Sequence, residues 1–199
     1  GSKWGYSYVG GWRLDAPVHE VKDLSLDTLR RQIGESRSEL GARLQLYQIH
    51  SATLESRILE NGSVLRELLQ LQSTGLVVGL TVSGPAQADV IRRALAVSVD
   101  GENPFQVVQA TWNLLEPSAG GALAEAQSCG WGVIVKEALA YGRLTEGEDG
   151  GCVALAAALS QPWADIVLSG AVTVDQLGSN QNAIALSQEY GDWPDIAES

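Results

Sequence analysis

The hydrophobic pattern switches between two periods along the whole chain. Residues 25–40, SLDTLRRQIGESRSEL, open with a serine suited to cap a helix and place Leu29, Ile33, Ser36 and Leu40 near helical spacing. Gly41 stops the run. Residues 44–50, LQLYQIH, alternate apolar and polar and predict a strand. An amphipathic helix over 63–72 then leads into an almost continuous apolar strand over 76–82. The pair recurs as helix 86–96 with strand 105–112, helix 118–129 with strand 131–138, and helix 153–161 with strand 164–170. A Gly-rich break, 147-GEDGG-151, precedes that last pair, and a threonine-capped helix over 173–188 closes the series.

Strands that are apolar on both faces and alternate with helices predict parallel strands covered by helices, an α/β fold. The strand-to-strand pitch suits right-handed βα units, so a doubly wound sheet and a (β/α)8 barrel both fit. The absence of a GxGxxG after the first strand weighs against the classical dinucleotide-binding version. Strand ends collect polar groups (Lys3, His50, Gln109, Lys136 with Glu137, Ser169), as the C-terminal rim of a barrel would. Side-chain alternation puts His50, Gln48, Leu46 and Leu44 on one face and Tyr47 and Ile49 on the other. From pattern alone His50 is a strand-end residue, structural or functional. If it faces the barrel axis, Tyr47 packs against helices.

Composition narrows the partners. The 199 residues, 45% hydrophobic and 19% charged, suit a globular chain of one domain, or two at most. A net charge of -11 argues against nucleic acid and anionic membrane surfaces. No apolar run approaches the roughly 20 residues of a membrane span. Cys129 and Cys152 lack disulfide-framework or metal-site spacing, and buried thiols in a reducing compartment are expected. No methionine is present, so the native start is expected to lie upstream or to have been removed.

Six segments occur in one order: 2-SKWGY-6, 46-LYQIHSA-52, 79-GLTVSGP-85, 108-VQATWNLLEP-117, 133-VIVKEALAYGRL-144 and 167-VLSGAVTVDQLGSN-180. Together they resemble the aldo-keto reductase superfamily over nearly the whole chain. The resemblance implies a (β/α)8 barrel of aldo-keto reductase type that uses NADP or NAD to reduce an aldehyde or ketone. It also implies a tetrad of Asp, Tyr, Lys and His at the C-terminal rim, in which the tyrosine protonates the carbonyl oxygen and the histidine orients it. Lys3 takes the lysine position and His50 the histidine position. The Asp and Tyr positions fall upstream of Lys3, so the chain is expected to lack roughly the first two βα units and to be inactive alone. Tyr6 and Tyr8 are expected to be loop or packing residues.

For the cofactor, the resemblance places Gln109 and Thr81 at the nicotinamide carboxamide, with Val82 where an asparagine is usual. Lys136 stands at the position of the aromatic residue that stacks on the ring, with Glu137 available to neutralise it. Ser169, Gly170 and Thr173 take the phosphate-binding turn, and Gln176 and Asn180 the adenine nucleotide. No arginine in this last segment stands ready for a 2′-phosphate, which leaves NADP against NAD open. The expectations are thus a partial barrel over 1–188 and an acidic tail over 189–199, with a small carbonyl compound as substrate and no metal. The expected location is soluble and intracellular, in the cytoplasm or, given an upstream leader, an organelle. The alternative is a non-catalytic binding or scaffold subunit, with a protein partner covering the open barrel.

Overall fold

The computed structural model describes residues 1–8, 20–146 and 150–189. Of the expected tail only Glu189 is among them, as the last residue of the final helix, and residues 147–149 of the Gly-rich break also lie outside. Two compact units divide the chain: Gly1–Thr81 with Arg93–Gln106, and Val82–Arg92 with Val107–Ser199.

The first unit opens with β1 (Ser2–Trp4), β2 (Tyr6–Tyr8) and β3 (Glu20–Lys22), followed by α1 (Leu26–Leu40), β4 (Leu46–Ala52), α2 (Gly62–Ser73) and β5 (Val77–Val82). Its main strands lie in the order β1, β4, β5. β1 runs parallel to β4 with Ser2 opposite Tyr47, Lys3 opposite Gln48 and Trp4 opposite Ile49. Partners in a parallel register point to the same face, and two contacts identify the faces. Ser2 Oγ hydrogen-bonds Ser36 Oγ of α1 at 3.0 Å, and the buried Tyr47 phenol, whose pKa burial raises, feels the charges of Glu35, Arg31 and Arg37 on α1. Tyr47 therefore packs against a helix, as its parity requires, and Lys3, Gln48 and His50 share the other face.

The caps follow the sequence. Ser25 Oγ accepts the Thr28 N–H, while Asp23 accepts from the Ser25 N–H and the Thr28 hydroxyl. α1 turns Thr28, Leu29 and Ile33 inward, and α2, capped by Asn61, turns in Val64, Leu65, Leu68 and Leu71. Such apolar stripes at three- and four-residue spacing, rather than propensity, hold these helices in place.

α3 (Gln87–Leu95) leads to β6 (Val107–Thr111), α4 (Gly120–Ser128), β7 (Gly132–Lys136), α5 (Gly150–Leu159), β8 (Ile166–Val167) and α6 (Val174–Glu189). In the second unit β6, β7 and β8 run parallel in chain order, with Gln109 opposite Ile134 and Thr111 opposite Lys136. Val108, Ala110, Val133 and Val135 are fully buried on one face, which leaves Gln109, Thr111 and Lys136 together on the other. Trp112 and Trp163 meet edge to face at 5.6 Å, and a Cβ on Gly120 would lie 3.3 Å from Trp112 Nε1, so glycine lets α4 approach that ring.

Three expectations change. The strand expected over 164–170 contracts to Ile166–Val167, because beyond it the chain turns toward the cap of α6. α5 begins at Gly150, before the expected start at 153. Cys129 is exposed and Cys152 half-buried, since Cys129 is the C-cap of α4. Among the described residues, no helix is long and apolar enough to cross a membrane.

Candidate functional site

In the first unit the candidate residues gather at the C-terminal end of β4. His50 is half-buried there, two positions beyond the buried Gln48. The next residue, Ser51, adopts φ +52°, a left-handed conformation that costs a non-glycine residue roughly 1–2 kcal/mol. Two hydrogen bonds hold it: Ser51 N–H donates to Thr81 Oγ1 at 2.7 Å, and its carbonyl accepts from Lys22 Nζ at 2.6 Å. Lys22 lies opposite Tyr6 in the antiparallel β2–β3 pair, and its ammonium is 5.9 Å from the centre of the Tyr6 ring. That ring meets the His50 imidazole edge to face, with centroids 4.5 Å apart.

The second unit carries a denser polar group. Lys136 Nζ reaches Ser83 Oγ at 2.9 Å and Glu137 Oε1 at 3.0 Å. The Thr111 hydroxyl donates to Glu137 Oε2 at 2.7 Å, and Asn113 donates to the Glu137 carbonyl. Glu137 adopts φ +59°, and its carboxylate lies between Lys136 and Thr111. Burial by itself would raise its pKa, but hydrogen bonds from Thr111, Lys136 and Tyr141, with the lysine charge, hold it below the ordinary 4.5. The Lys136 ammonium is thus neutralised by Glu137 and fixed toward Ser83. Gln87 ties the end of β6 into the group through both its amide atoms and the backbone of Thr111.

Beside this network lies a cleft of about 710 Å³. Lys136, Ser169, Gly170, Gln176 and Asn180 line it, with Tyr141 and Cys152 on its walls. Its floor includes the start of α6, where 173-TVDQ-176 forms a capping box: Thr173 Oγ1 accepts the Gln176 N–H, and Gln176 Oε1 accepts from Val172 and Thr173. Asn180 Nδ2 donates to Ser169 Oγ at 2.8 Å, and the same oxygen accepts from Ala171 N–H. The turn gathers backbone N–H groups at a helix N-terminus, a place that favours anions, with those of Ala171, Val172 and Thr173 bonded within the turn.

The aldo/keto reductase family profile matches residues 2–152. This chain belongs to the aldo/keto reductase family. A comparison with the curated proteins finds no match. Among solved structures, PA4992 of Pseudomonas aeruginosa is similar at 24% identity with a TM-score of 0.71, over 94% of this chain and 66% of that one. The aldo-keto reductase AKR11C1 of Bacillus halodurans in its holo form matches at 17% identity and TM-score 0.69, over 99% of this chain and 75% of that one. The glycerol dehydrogenase AKR11B4 of Gluconobacter oxydans matches at 18% and 0.61, over 97% and 73% respectively. These likenesses establish the fold as an α/β barrel of aldo-keto reductase type, of which this chain spans 66% of the PA4992 length.

Within this family member, Lys3 and His50 share a strand face, and Lys136, Ser169, Gly170, Gln176 and Asn180 share a cleft. Thr173 stands behind that cleft as the helix cap, Gln109 is buried in β6 on the face of Lys136, and Thr81 Oγ1 accepts from Ser51. The sequence reads Tyr6 as a loop or packing residue and assigns nothing to Lys22; the structure places Tyr6 in β2 with its ring against His50, and Lys22 of β3 against that ring and the Ser51 carbonyl.

Proposed function

We propose that the chain carries the rim and cofactor cleft of a reductase that uses NAD(P)H to reduce an aldehyde or ketone. The observation that carries this reading is the cleft of about 710 Å³, lined by the same Lys136, Ser169, Gly170, Gln176 and Asn180 that the family resemblance assigns to the nucleotide. Its volume and its donor-rich turn suit a phosphorylated ligand. A nicotinamide cofactor, when bound, supplies the hydride. The chain's own residues bind and orient. Ser169, Gly170 and the cap of α6 hold the phosphates, Gln176 and Asn180 meet the adenine nucleotide, and Gln109 meets the carboxamide.

His50 directs the substrate carbonyl and donates to its oxygen, while Lys3 brings a positive charge to the same strand face. That charge favours the ionised form of the tyrosine that protonates the oxygen. Gln48 Nε2, on the face shared with both, is buried with no hydrogen-bond partner among the described residues. An unmade donor of this kind costs roughly 1–3 kcal/mol, and a polar ligand or further chain above it would supply the acceptor.

Titration of the full-length protein with NADPH and with NADH, read by cofactor fluorescence, tests the reading, followed by turnover of aromatic aldehydes. Saturable binding with carbonyl reduction is expected. No binding at millimolar cofactor sinks it. A second reading, a non-catalytic binding subunit, draws on the capping box. Gln176 and Ser169 already satisfy the N–H groups of Ala171, Val172 and Thr173, so phosphate must displace those bonds. Stable co-purification with a protein partner, without cofactor binding, is the outcome that reading requires.

A further inference from the structure

We propose that Tyr6 is a positioning residue for His50, locked over the imidazole by Lys22. The proposal rests on the reading of His50 as the group that faces the carbonyl. Three observations carry it.

The contact itself is specific: the Tyr6 and His50 rings meet at 85°, with centroids 4.5 Å apart. Edge-to-face pairs at this separation gain roughly 0.5–1.5 kcal/mol beyond their area, and the pairing restricts rotation of both rings. Secondly, the backbone of Tyr6 is held from α1. Gln32 Oε1 accepts the Gly5 N–H at 2.8 Å, and Gln32 Nε2 donates to the Tyr6 carbonyl at 2.7 Å. Gly5 itself has φ +102° and its carbonyl accepts from Asp23 N–H, so the chain is bent and held just before Tyr6. Thirdly, Lys22 joins the two sides. Its ammonium sits against the Tyr6 ring, within cation–π range, and donates to the carbonyl of Ser51, the residue after His50.

One hairpin thus touches the His50 side chain with an aromatic edge and the following peptide with a cation. A packing role for Tyr6 would need only burial. Here Tyr6 is half-buried, its ring held between His50 and Lys22 and its backbone held by Gln32, at the point where the histidine must be aimed. Misplacement of an orienting group by about 1 Å costs on the order of 100-fold in rate, so holding the imidazole has a kinetic consequence.

Tyr6→Phe keeps the ring and removes the hydroxyl, whereas Tyr6→Leu removes the ring. Both are made in the full-length protein, alongside Lys22→Met and the double variant Tyr6→Leu/Lys22→Met. The expected result is that Tyr6→Leu lowers kcat by about 10- to 100-fold while KM moves by about 2-fold or less, and that Tyr6→Phe restores kcat. Lys22→Met lowers kcat in the same direction, and the double variant falls short of the product of the two single effects. NMR of the histidine ring protons, with His50 assigned by His50→Gln, supplies a readout that does not need turnover. Loss of the Tyr6 ring current shifts these resonances by itself, so the quantity read is ring order: by relaxation the His50 ring becomes more mobile in Tyr6→Leu and keeps wild-type order in Tyr6→Phe.

If wild type reduces no carbonyl, the functional reading fails, and the order of the His50 ring alone then decides the positioning. Unchanged His50 ring order in Tyr6→Leu overturns the proposal. Equal loss of kcat in Tyr6→Phe and Tyr6→Leu also overturns it, since the hydroxyl would then be the acting group. Thermal melts of each variant identify unfolding, and the conservative Tyr6→Phe keeps the comparison readable if Tyr6→Leu does not fold.

Discussion

Thr81→Val tests whether the left-handed Ser51 peptide is held by the hydrogen bond from β5. Thr81 is 1% exposed, and its Oγ1 accepts the Ser51 N–H at 2.7 Å. Valine has nearly the same shape, so packing changes little, but the amide loses its acceptor. An unsatisfied buried donor costs about 1–3 kcal/mol. Ser51 is half-buried, so partial access to water favours the lower half of that range. The strain of φ +52° acts in the same direction, because once the bond is gone the residue relaxes toward an ordinary conformation and regains about 1 kcal/mol. The net expectation is a loss of about 1 kcal/mol, with local opening at Ser51 far more frequent than in wild type.

Hydrogen exchange on the Ser51 amide reads this directly. Protection should fall about 5- to 10-fold in Thr81→Val, since 1.4 kcal/mol corresponds to a tenfold change. Thr81→Ser keeps the oxygen and should hold protection near wild type. That variant still loses about 0.8 kcal/mol of global stability from its buried methyl, which separates the two effects. Protection unchanged in Thr81→Val, or lost equally in Thr81→Ser, refutes the reasoning.

Further outcomes follow from other positions. Gly5→Ala should destabilise by at least about 1–2 kcal/mol in thermal or urea unfolding, from the φ of +102° that alanine resists. The new Cβ, 2.3 Å from Leu24 Cδ2, adds little, because that methyl can rotate away. Glu137→Gln should remove a pH-dependent part of stability. The folded pKa lies below the ordinary 4.5, so the carboxylate stabilises the fold above that value and loses its contribution as pH falls through the lower folded pKa. The difference in unfolding free energy between wild type and Glu137→Gln should therefore be constant at neutral pH and shrink below about pH 4.5; a difference that grows on acidification contradicts this. Gln176→Ala should fray the first turn of α6, with amide exchange there faster by the equivalent of about 0.5–1 kcal/mol, while β6 and β7 stay unchanged.

Much of the architecture is local information. The Ser25 and Thr173 caps, the apolar stripes of α1 and α2 and the two-sided apolar strands are written in spacings of a few residues, and spacing alone orients a helix or a strand face. The same parity put Tyr47 toward a helix and His50 on the opposite face. Tertiary structure decided where polar atoms bond. Thr81 accepts from Ser51, Gln176 closes a capping box, and Lys136 turns to Ser83 and Glu137, because each atom takes the partner that the assembled backbone brings within reach. The hairpin over His50 belongs to this class. Tyr6 meets Lys22 across an intervening stretch of chain, and such long-range pairing leaves no periodic trace, since periodicity records only which face a residue occupies and not what waits on the other side.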